Sequence, residues 1–249
     1  MERVSIVIPV YNSEKTIEET IENICIIMHK VSEDYDYEII LVNDGSKDNV
    51  RSVLLKLAKN NKIKMIELSK NFGQHNAIMA GLSSSNGDYI VCMDDDLQTP
   101  STGILKLLKK IKENDYDVVY GKYEEKKHNR FRNFGTSVND LMANMLINKP
   151  KNILITSFFI MKRYILEEII KYQNPYPYLG GLIFRVTDNV GDVLVEHKER
   201  PYGKSNYNLK KLLKLWLNGF TNFSIKPLRI STLFGLFFSL ASFVAMLII

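Results

Sequence analysis

Cysteine is scarce in this chain. Its 249 residues contain two, Cys25 and Cys92, too few for a disulfide framework or a zinc site built on cysteine. The four histidines, His29, His75, His128 and His197, never fall in a metal-ligand spacing, and no Gly-x-Ser-x-Gly elbow occurs. The first apolar run ends in Pro9-Val10-Tyr11-Asn12-Ser13, with neither a Gly-rich fingerprint nor a Gly-Lys-Ser/Thr loop there. Both absences argue against a nicotinamide enzyme and a P-loop ATPase. Acid is missing from Pro201 to Ile230, where six cations stand alone: Lys204, Lys210, Lys211, Lys214, Lys226 and Arg229. Those six exceed the overall surplus of +5, so the rest of the chain carries a net −1. Charge of either sign is missing from Ile230 to Ile249.

What is present is globular: 45% hydrophobic and 24% charged residues exclude a disordered or fibrous chain. The length allows one large domain or two modest ones, with ample chain for a core. The twenty uncharged, mostly apolar residues at 230–249 would extend roughly 30 Å as a helix, the thickness of a bilayer's hydrocarbon core, so this run reads as a transmembrane helix. The cations just before it put residues 1–229 on the cytoplasmic side of the plasma (inner) membrane, by the positive-inside bias. The start, MERVSIVIPV, has no apolar signal segment after a basic stretch and agrees with that orientation. The run has no polar flank on its far side, so the anchor is expected to be truncated and the protein to continue past residue 249. A basic stripe leading straight into such a segment favours anionic lipid over nucleic acid as its partner.

Two periodicities alternate over residues 1–121. Val4–Val10, Tyr37–Asn43, Ile63–Leu68, Tyr89–Met93 and Asp117–Tyr120 are short runs rich in β-branched residues, and Ile153–Met161 adds another strand. Between them Ile17, Ile21, Ile24 and Met28 keep helical spacing behind a cap at Asn12 or Ser13. Val50, Val53, Leu54 and Leu57 do likewise, as do Ile104, Leu107, Leu108 and Ile111. Alternation of this kind predicts an α/β domain around a mostly parallel sheet, with chemistry beyond the carboxyl ends of the strands. Residues 122–148 read as a basic loop and an amphipathic helix, either solvated or lying on the membrane interface. Asn208–Phe223 reads as a second amphipathic helix, its Trp216 suited to an interfacial seat.

The sharpest local signal is Asp94-Asp95-Asp96-Leu97-Gln98 at the fourth strand's end. Adjacent carboxylates repel unless a cation or hydrogen-bond donors satisfy them. In a strand Asp94 and Asp96 share a face, about 6.6 Å apart along the chain. One can then hold a hard divalent ion while the other holds a neighbouring group. Mg2+ or Mn2+ suits one or two carboxylates completed by substrate phosphates. Asn43-Asp44-Gly45-Ser46, after the second strand, reads on its own as an ordinary turn.

Together with Ser5–Asn12, Asn71-Phe72-Gly73-Gln74, Gly87-Asp88-Tyr89 and Arg200–Tyr207, these motifs resemble glycosyltransferase family 2 over roughly residues 3–229. The match is to its polyprenyl-phosphate branch, similar to dolichyl-phosphate mannose synthases and bacterial undecaprenyl-phosphate glycosyltransferases. The resemblance implies a GT-A-type, Rossmann-like nucleotide-sugar-binding domain over 1–205, a basic juxtamembrane helix over 206–229 and the membrane helix over 230–249. It implies inverting transfer of one sugar from a nucleotide diphosphate-sugar, a UDP-sugar first and a GDP-sugar next, to undecaprenyl or dolichyl phosphate. Pro9, Tyr11, Asn12 and Asp44 would line base and ribose. Asp94 and Asp95 would lie near ribose and diphosphate, Asp96 would bind the metal, and Gln98 would shape the donor pocket. Arg200, Lys204 and Ser205 would hold phosphates, which makes Asp94, Asp96, Arg200 and Lys204 the catalytic set. Homo-oligomerisation is left open.

In one place the chain departs from its relatives. Where related enzymes often carry an acid in an Asp-Phe-Arg stretch, this chain has Thr156-Ser157-Phe158-Phe159. A hydroxyl acceptor needs a general base, whereas a phosphate monoester, with a second pKa of about 6, is already an oxyanion near pH 7. The loss therefore fits a phosphate acceptor with no dedicated base, although Asp94 or Asp95 could serve as one. It counts against a hydroxyl-extending enzyme. A hydrolase with paired carboxylates is disfavoured by the missing export signal, and a non-catalytic sugar-nucleotide-binding module differs only in lacking turnover. If no base is needed at this position, Ser157→Ala leaves steady-state turnover near wild type; a hundredfold loss would contradict that.

Overall fold

The computed structural model describes residues 1–123, 153–198 and 226–248. The amphipathic helix expected within 122–148, the helix at Asn208–Phe223, and Arg200, Lys204 and Ser205 lie outside the described residues. Two compact units divide the chain.

The larger unit is built on seven strands: β1 (Glu2–Val10), β2 (Tyr35–Asn43), β3 (Ile63–Glu67), β4 (Tyr89–Cys92), β5 (Val118–Tyr123), β6 (Phe159–Lys162) and β7 (Val190–Val195). They lie in the order β3-β2-β1-β4-β6-β5-β7. All neighbours are parallel except β6, which runs antiparallel to both β4 and β5. The helices are α1 (Ile17–His29), α2 (Val50–Leu57), α3 (Gln74–Ser83), α4 (Gly103–Glu113), α5 (Arg163–Ile169) and α6 (Leu179–Val186). This is the expected GT-A-like α/β layering. Val4, Ile6, Val7, Ile8 and Val10 of β1 are fully buried, as a central parallel strand covered on both faces requires. Each such side chain contributes roughly 1.5–3 kcal/mol.

The chain runs outward from β1 to β2 and β3, then returns to β4 on β1's other side. The strand order therefore reverses between β1 and β4, where open α/β sheets bind ligands at their carboxyl ends. Val10 of β1 is in register with Asn43 of β2, and Val7 with Cys92 of β4. Three strand ends thus open onto one crevice.

Several expectations need correction. Neither Asn12 nor Ser13 caps α1 through its side chain; the helix starts after Thr16, and the Ser13 carbonyl accepts the Thr16 and Ile17 amides at 3.1 Å. Both side chains are engaged elsewhere, as described below. The strand expected at Ile153–Met161 is confined to Phe159–Lys162. β4 ends at Cys92, so Asp94 and Asp96 sit in a turn beyond it and the strand spacing does not apply to them. Helix α3 escaped the periodicity because two of its four buried residues, Ala77 and Gly81, are small, beside Ile78 and Leu82. A Cβ at Gly81 would come within 2.4 Å of the Val7 side chain, so glycine lets α3 lie close against β1.

The second unit is represented by one helix, α7, 23 residues over Lys226–Ile248. Its described side chains fall at 228–229, 231–240 and 242–247, and Leu233, Phe234, Phe237 and Phe238 among them are exposed. Among the described residues no helix is long and apolar enough to cross a membrane.

Gly45, just past β2, has φ +63°, and a Cβ there would lie 2.5 Å from the Lys70 carbonyl carbon. Both conformation and space demand glycine. Gly45→Ala is expected to lower the thermal midpoint by more than about 5 °C; an unchanged melting curve would show that the Lys70–Asn71 crossing yields.

Candidate active site

Three segments converge at the crevice: residues 9–13 after β1, 43–46 after β2 and 93–98 after β4. Asn12 takes φ 56°, a left-handed conformation that asparagine tolerates. Its side-chain oxygen accepts the Lys47 amide at 2.8 Å, while its own amide donates to the Ser46 hydroxyl at 3.0 Å. These bonds tie the first two strand ends together.

Asp44 is 3% exposed, and its carboxylate accepts the Phe72 and Gly73 amides at 2.7 and 2.9 Å. Burial raises its pKa above the ordinary carboxylate value even though both amides oppose the shift. Its contacts within the chain are thus with the 71–74 loop, which it holds against the crevice. Asp95 also points inward. One of its oxygens accepts the Tyr11 amide at 3.2 Å and the Ser13 hydroxyl. Burial pushes its pKa up to about 7; Asp94 and Asp96 add repulsion, while the Ser13 and Tyr11 donors oppose it. Asp95 fastens the end of β1 to the acidic turn.

Asp94 is gripped from two sides. The Gln74 amide donates to one oxygen at 2.7 Å and the Ser157 hydroxyl to the other at 2.5 Å. Ser157 reaches it because β6 is antiparallel: Phe159 is in register with Cys92, so the residues preceding β6 lie at the carboxyl end of β4. Ser157→Ala would therefore release Asp94 as well as remove a hydroxyl, and a pH–rate profile separates those effects better than turnover alone.

Asp96 faces the other rim. Its Oδ1 accepts the Gln98 amide at 3.1 Å, closing a turn in which Leu97 has φ 61°. The Gln98 side chain reaches the Lys198 carbonyl at 3.3 Å and lies 3.4 Å from His197 Nε2. Tyr123 stacks against His197 at 4.2 Å and meets the Thr99 hydroxyl at 3.0 Å. Burial, with the Asp94 and Asp96 charges beyond it, raises the Tyr123 pKa to about 12, opposed by the Thr99 hydrogen bond.

Among the described residues no group of three or more His, Cys, Asp or Glu side chains is arranged to hold a metal. With Asp95 turned inward and Asp94 engaged by two donors, Asp96 supplies the hard oxygen best suited to a divalent ion completed by phosphates. Of the residues expected at the site, Pro9, Tyr11, Asn12, Asp44, Asp94, Asp95, Asp96 and Gln98 come together at these strand ends. Gln74, Ser13, Tyr123 and His197 join them, although their sequence signals were weak.

His75 is a correction. Its place beside Asn71–Gln74 in sequence leaves contact with the donor open but favours a surface histidine, yet its Nδ1 is buried and has no partner among the described residues. Its ring packs edge-on against Tyr178 at 5.9 Å. Burial drives its pKa down from 6.5 to about 4.

Residues 5–170 match the family described as Glycosyl transferase family 2. An uncharacterized glycosyltransferase of Bacillus subtilis, YkcC, is 35% identical over 98% of this chain and 76% of its own. The undecaprenyl-phosphate 4-deoxy-4-formamido-L-arabinose transferase of Yersinia enterocolitica is 32% identical over 98% of this chain and 74% of its own. Among solved structures, glucosyl-3-phosphoglycerate synthase from Mycobacterium tuberculosis superimposes with a TM-score of 0.64 at 17% identity, covering 89% of this chain and 81% of that one. The same enzyme in complex with Mn2+, UDP-glucose and phosphoglyceric acid gives a TM-score of 0.62 at 17% identity, over 88% and 79% of the two chains.

The neutral His75 gives a pH signature. The unfolded chain takes up a proton near pH 6.5 that the folded chain accepts only near pH 4. Stability is therefore expected to fall as pH drops through that window. Asp95 has the opposite slope, so the informative quantity is a difference. Chemical denaturation at pH 7.5 and 5.0 should show wild type losing more stability on acidification than His75→Asn; equal losses would refute the assignment.

Proposed function

The chain belongs to glycosyl transferase family 2 and is a glycosyltransferase, and we propose that it transfers one sugar, with inversion, from a nucleotide diphosphate-sugar to undecaprenyl phosphate at the cytoplasmic membrane face. The observation that carries this reading is similarity across nearly all of this chain: relatives named as undecaprenyl-phosphate 4-deoxy-4-formamido-L-arabinose transferases are 30–32% identical over 97–98% of it and 74% of their own length. A UDP-sugar is the favoured donor, in keeping with the UDP-glucose bound by the structural neighbour.

In this reading Pro9, Tyr11, Asn12 and Gln98 line the donor's base and ribose, with Asp44 and Asp95 fixing the loops that carry them. Asp94, oriented by Gln74 and Ser157, presents a fixed acceptor to ribose or sugar hydroxyls. Asp96 would hold Mg2+ or Mn2+, which offsets charge on the leaving diphosphate. The acceptor's phosphate arrives as an oxyanion, so no proton need be removed before it attacks the anomeric carbon. The chain's work is alignment and charge balance. Arg200, Lys204 and Ser205 are assigned from sequence to the phosphates. The apolar run at 230–249 is assigned to the bilayer, and the cations before it to anionic lipid.

The test uses membranes from cells expressing the protein, supplied with labelled nucleotide sugars, undecaprenyl phosphate and Mg2+ or Mn2+. Label is expected in the lipid extract, abolished by chelation and restored by the ion. Asp96→Asn should reduce transfer at least about hundredfold, the scale of losing one preorganised charge contact. Label confined to water-soluble product would overturn the lipid acceptor, and donor binding without transfer would point to a non-catalytic module.

A further inference from the structure

The donor reading leaves a buried group without a task. His75 sits in the first turn of α3, directly after Gln74, whose amide holds Asp94 at 2.7 Å. The segment 175–178 clasps that same turn: the Asn76 amide reaches the Pro175 carbonyl at 3.4 Å, and Tyr178 packs edge-on to the imidazole. Tyr178 immediately precedes α6, where a Cβ at Gly180 would come within 3.0 Å of Ile155. Ile155 is two residues from Ser157, the other partner of Asp94. His75 and Tyr178 therefore lie next in the chain to the two segments whose Gln74 and Ser157 hold Asp94. The Tyr120 hydroxyl is another buried polar atom with no partner among the described residues.

Buried polar atoms in folded proteins nearly always find a partner, and leaving one unpaired costs about 1–3 kcal/mol. Beside a binding crevice, a ligand atom is one partner that such an atom can take, and a buried water is the other. We propose that His75 is a specificity-determining residue whose Nδ1 hydrogen-bonds an uncharged polar substituent, a hydroxyl or amide, of the sugar being transferred. Burial that holds the ring neutral suits such a partner and not a phosphate, since a phosphate selects cationic donors. Tyr178 supplies an apolar ring edge alongside. A site built to pair with a substrate hydroxyl rejects analogues lacking it far more strongly than an apolar pocket can. The proposal rests on the donor reading above and deepens it by naming a residue that reads the sugar.

The experiment measures binding of uridine diphosphate and of a panel of UDP-sugars (UDP-glucose, UDP-galactose, UDP-N-acetylglucosamine) to full-length wild type, His75→Ala, His75→Phe and His75→Asn. It then measures KM for donor and for undecaprenyl phosphate, using the panel sugar that wild type transfers. Expected is uridine diphosphate affinity within twofold of wild type in every variant. For the transferred sugar, donor affinity should fall tenfold or more in His75→Ala and His75→Phe, and His75→Asn, whose amide falls near the Nδ1 position, should recover most of it. The acceptor KM should not move. His75→Phe keeps the ring contact with Tyr178, so it carries the test if the alanine variant misfolds. Equal loss of uridine diphosphate and UDP-sugar affinity, no loss of either, or a change in acceptor KM alone would overturn the proposal. If wild type binds neither uridine diphosphate nor any member of the panel, it is the UDP-donor reading that fails, and with it this proposal.

Discussion

Carboxylates gathered at the carboxyl end of a sheet must be satisfied, and much of this site's construction follows from that need. Asp44, Asp94 and Asp95 each draw donors from a segment distant in sequence: the 71–74 loop, Gln74 with Ser157, and Tyr11 with Ser13. A buried carboxylate without such donors would shift to its neutral form or destabilise the fold. The acidic cluster therefore acts as mortar before it acts as chemistry. It draws three strand ends into one rim and fixes the orientation of Asp94.

That constraint divides the acids by task. Two of the four turn their charge into the protein, one is held at the rim with both oxygens engaged, and Asp96 is left best suited to a cation. A different network stands at the opposite end of the sheet. Glu38, 1% exposed, takes the Ser5 hydroxyl, the Asn86 amide and the Lys64 ammonium at 2.7 Å each. Burial there acts to raise its pKa, yet these partners outweigh it and hold the pKa below the ordinary value. The amino end of the sheet thus pairs its acid with cations and donors, whereas the carboxyl end gathers Asp44, Asp94, Asp95 and Asp96 around one crevice.

Much of this was legible in sequence for identifiable reasons. β-branched runs marked β1, β2 and β4, and clear apolar faces marked α1 and α4, because packing on a two-sided sheet imposes those periodicities. Asp94–Asp96 stood out because clustered like charge needs compensation. Three things were hidden. Helix α3 packs through Ala77, Ile78, Gly81 and Leu82, and the two small residues of the four thin its hydrophobic signal. The direction of β6 is not encoded in alternation, since a strand reads alike both ways, and so the meeting of Ser157 with Asp94 was invisible. His75 was misread because burial of a lone imidazole depends on Tyr178, about a hundred residues away, and no local pattern reports that contact.

The reversed strand has a consequence for where the chain enters and leaves the sheet. Because β6 runs against β4 and β5, the chain leaves β5 at Tyr123 and returns before Phe159 at the same rim; parallel β7 also delivers its end, Val195, there. The exit from β5, the approach to β6 and the end of β7 therefore all lie at the rim that carries Asp94 and Asp96. On the other side β3, β2, β1 and β4 form one uninterrupted parallel block. Among the described residues, antiparallel β6 is the seam between that block and the β5–β7 pair, and through Ser157, just before it, that seam touches Asp94.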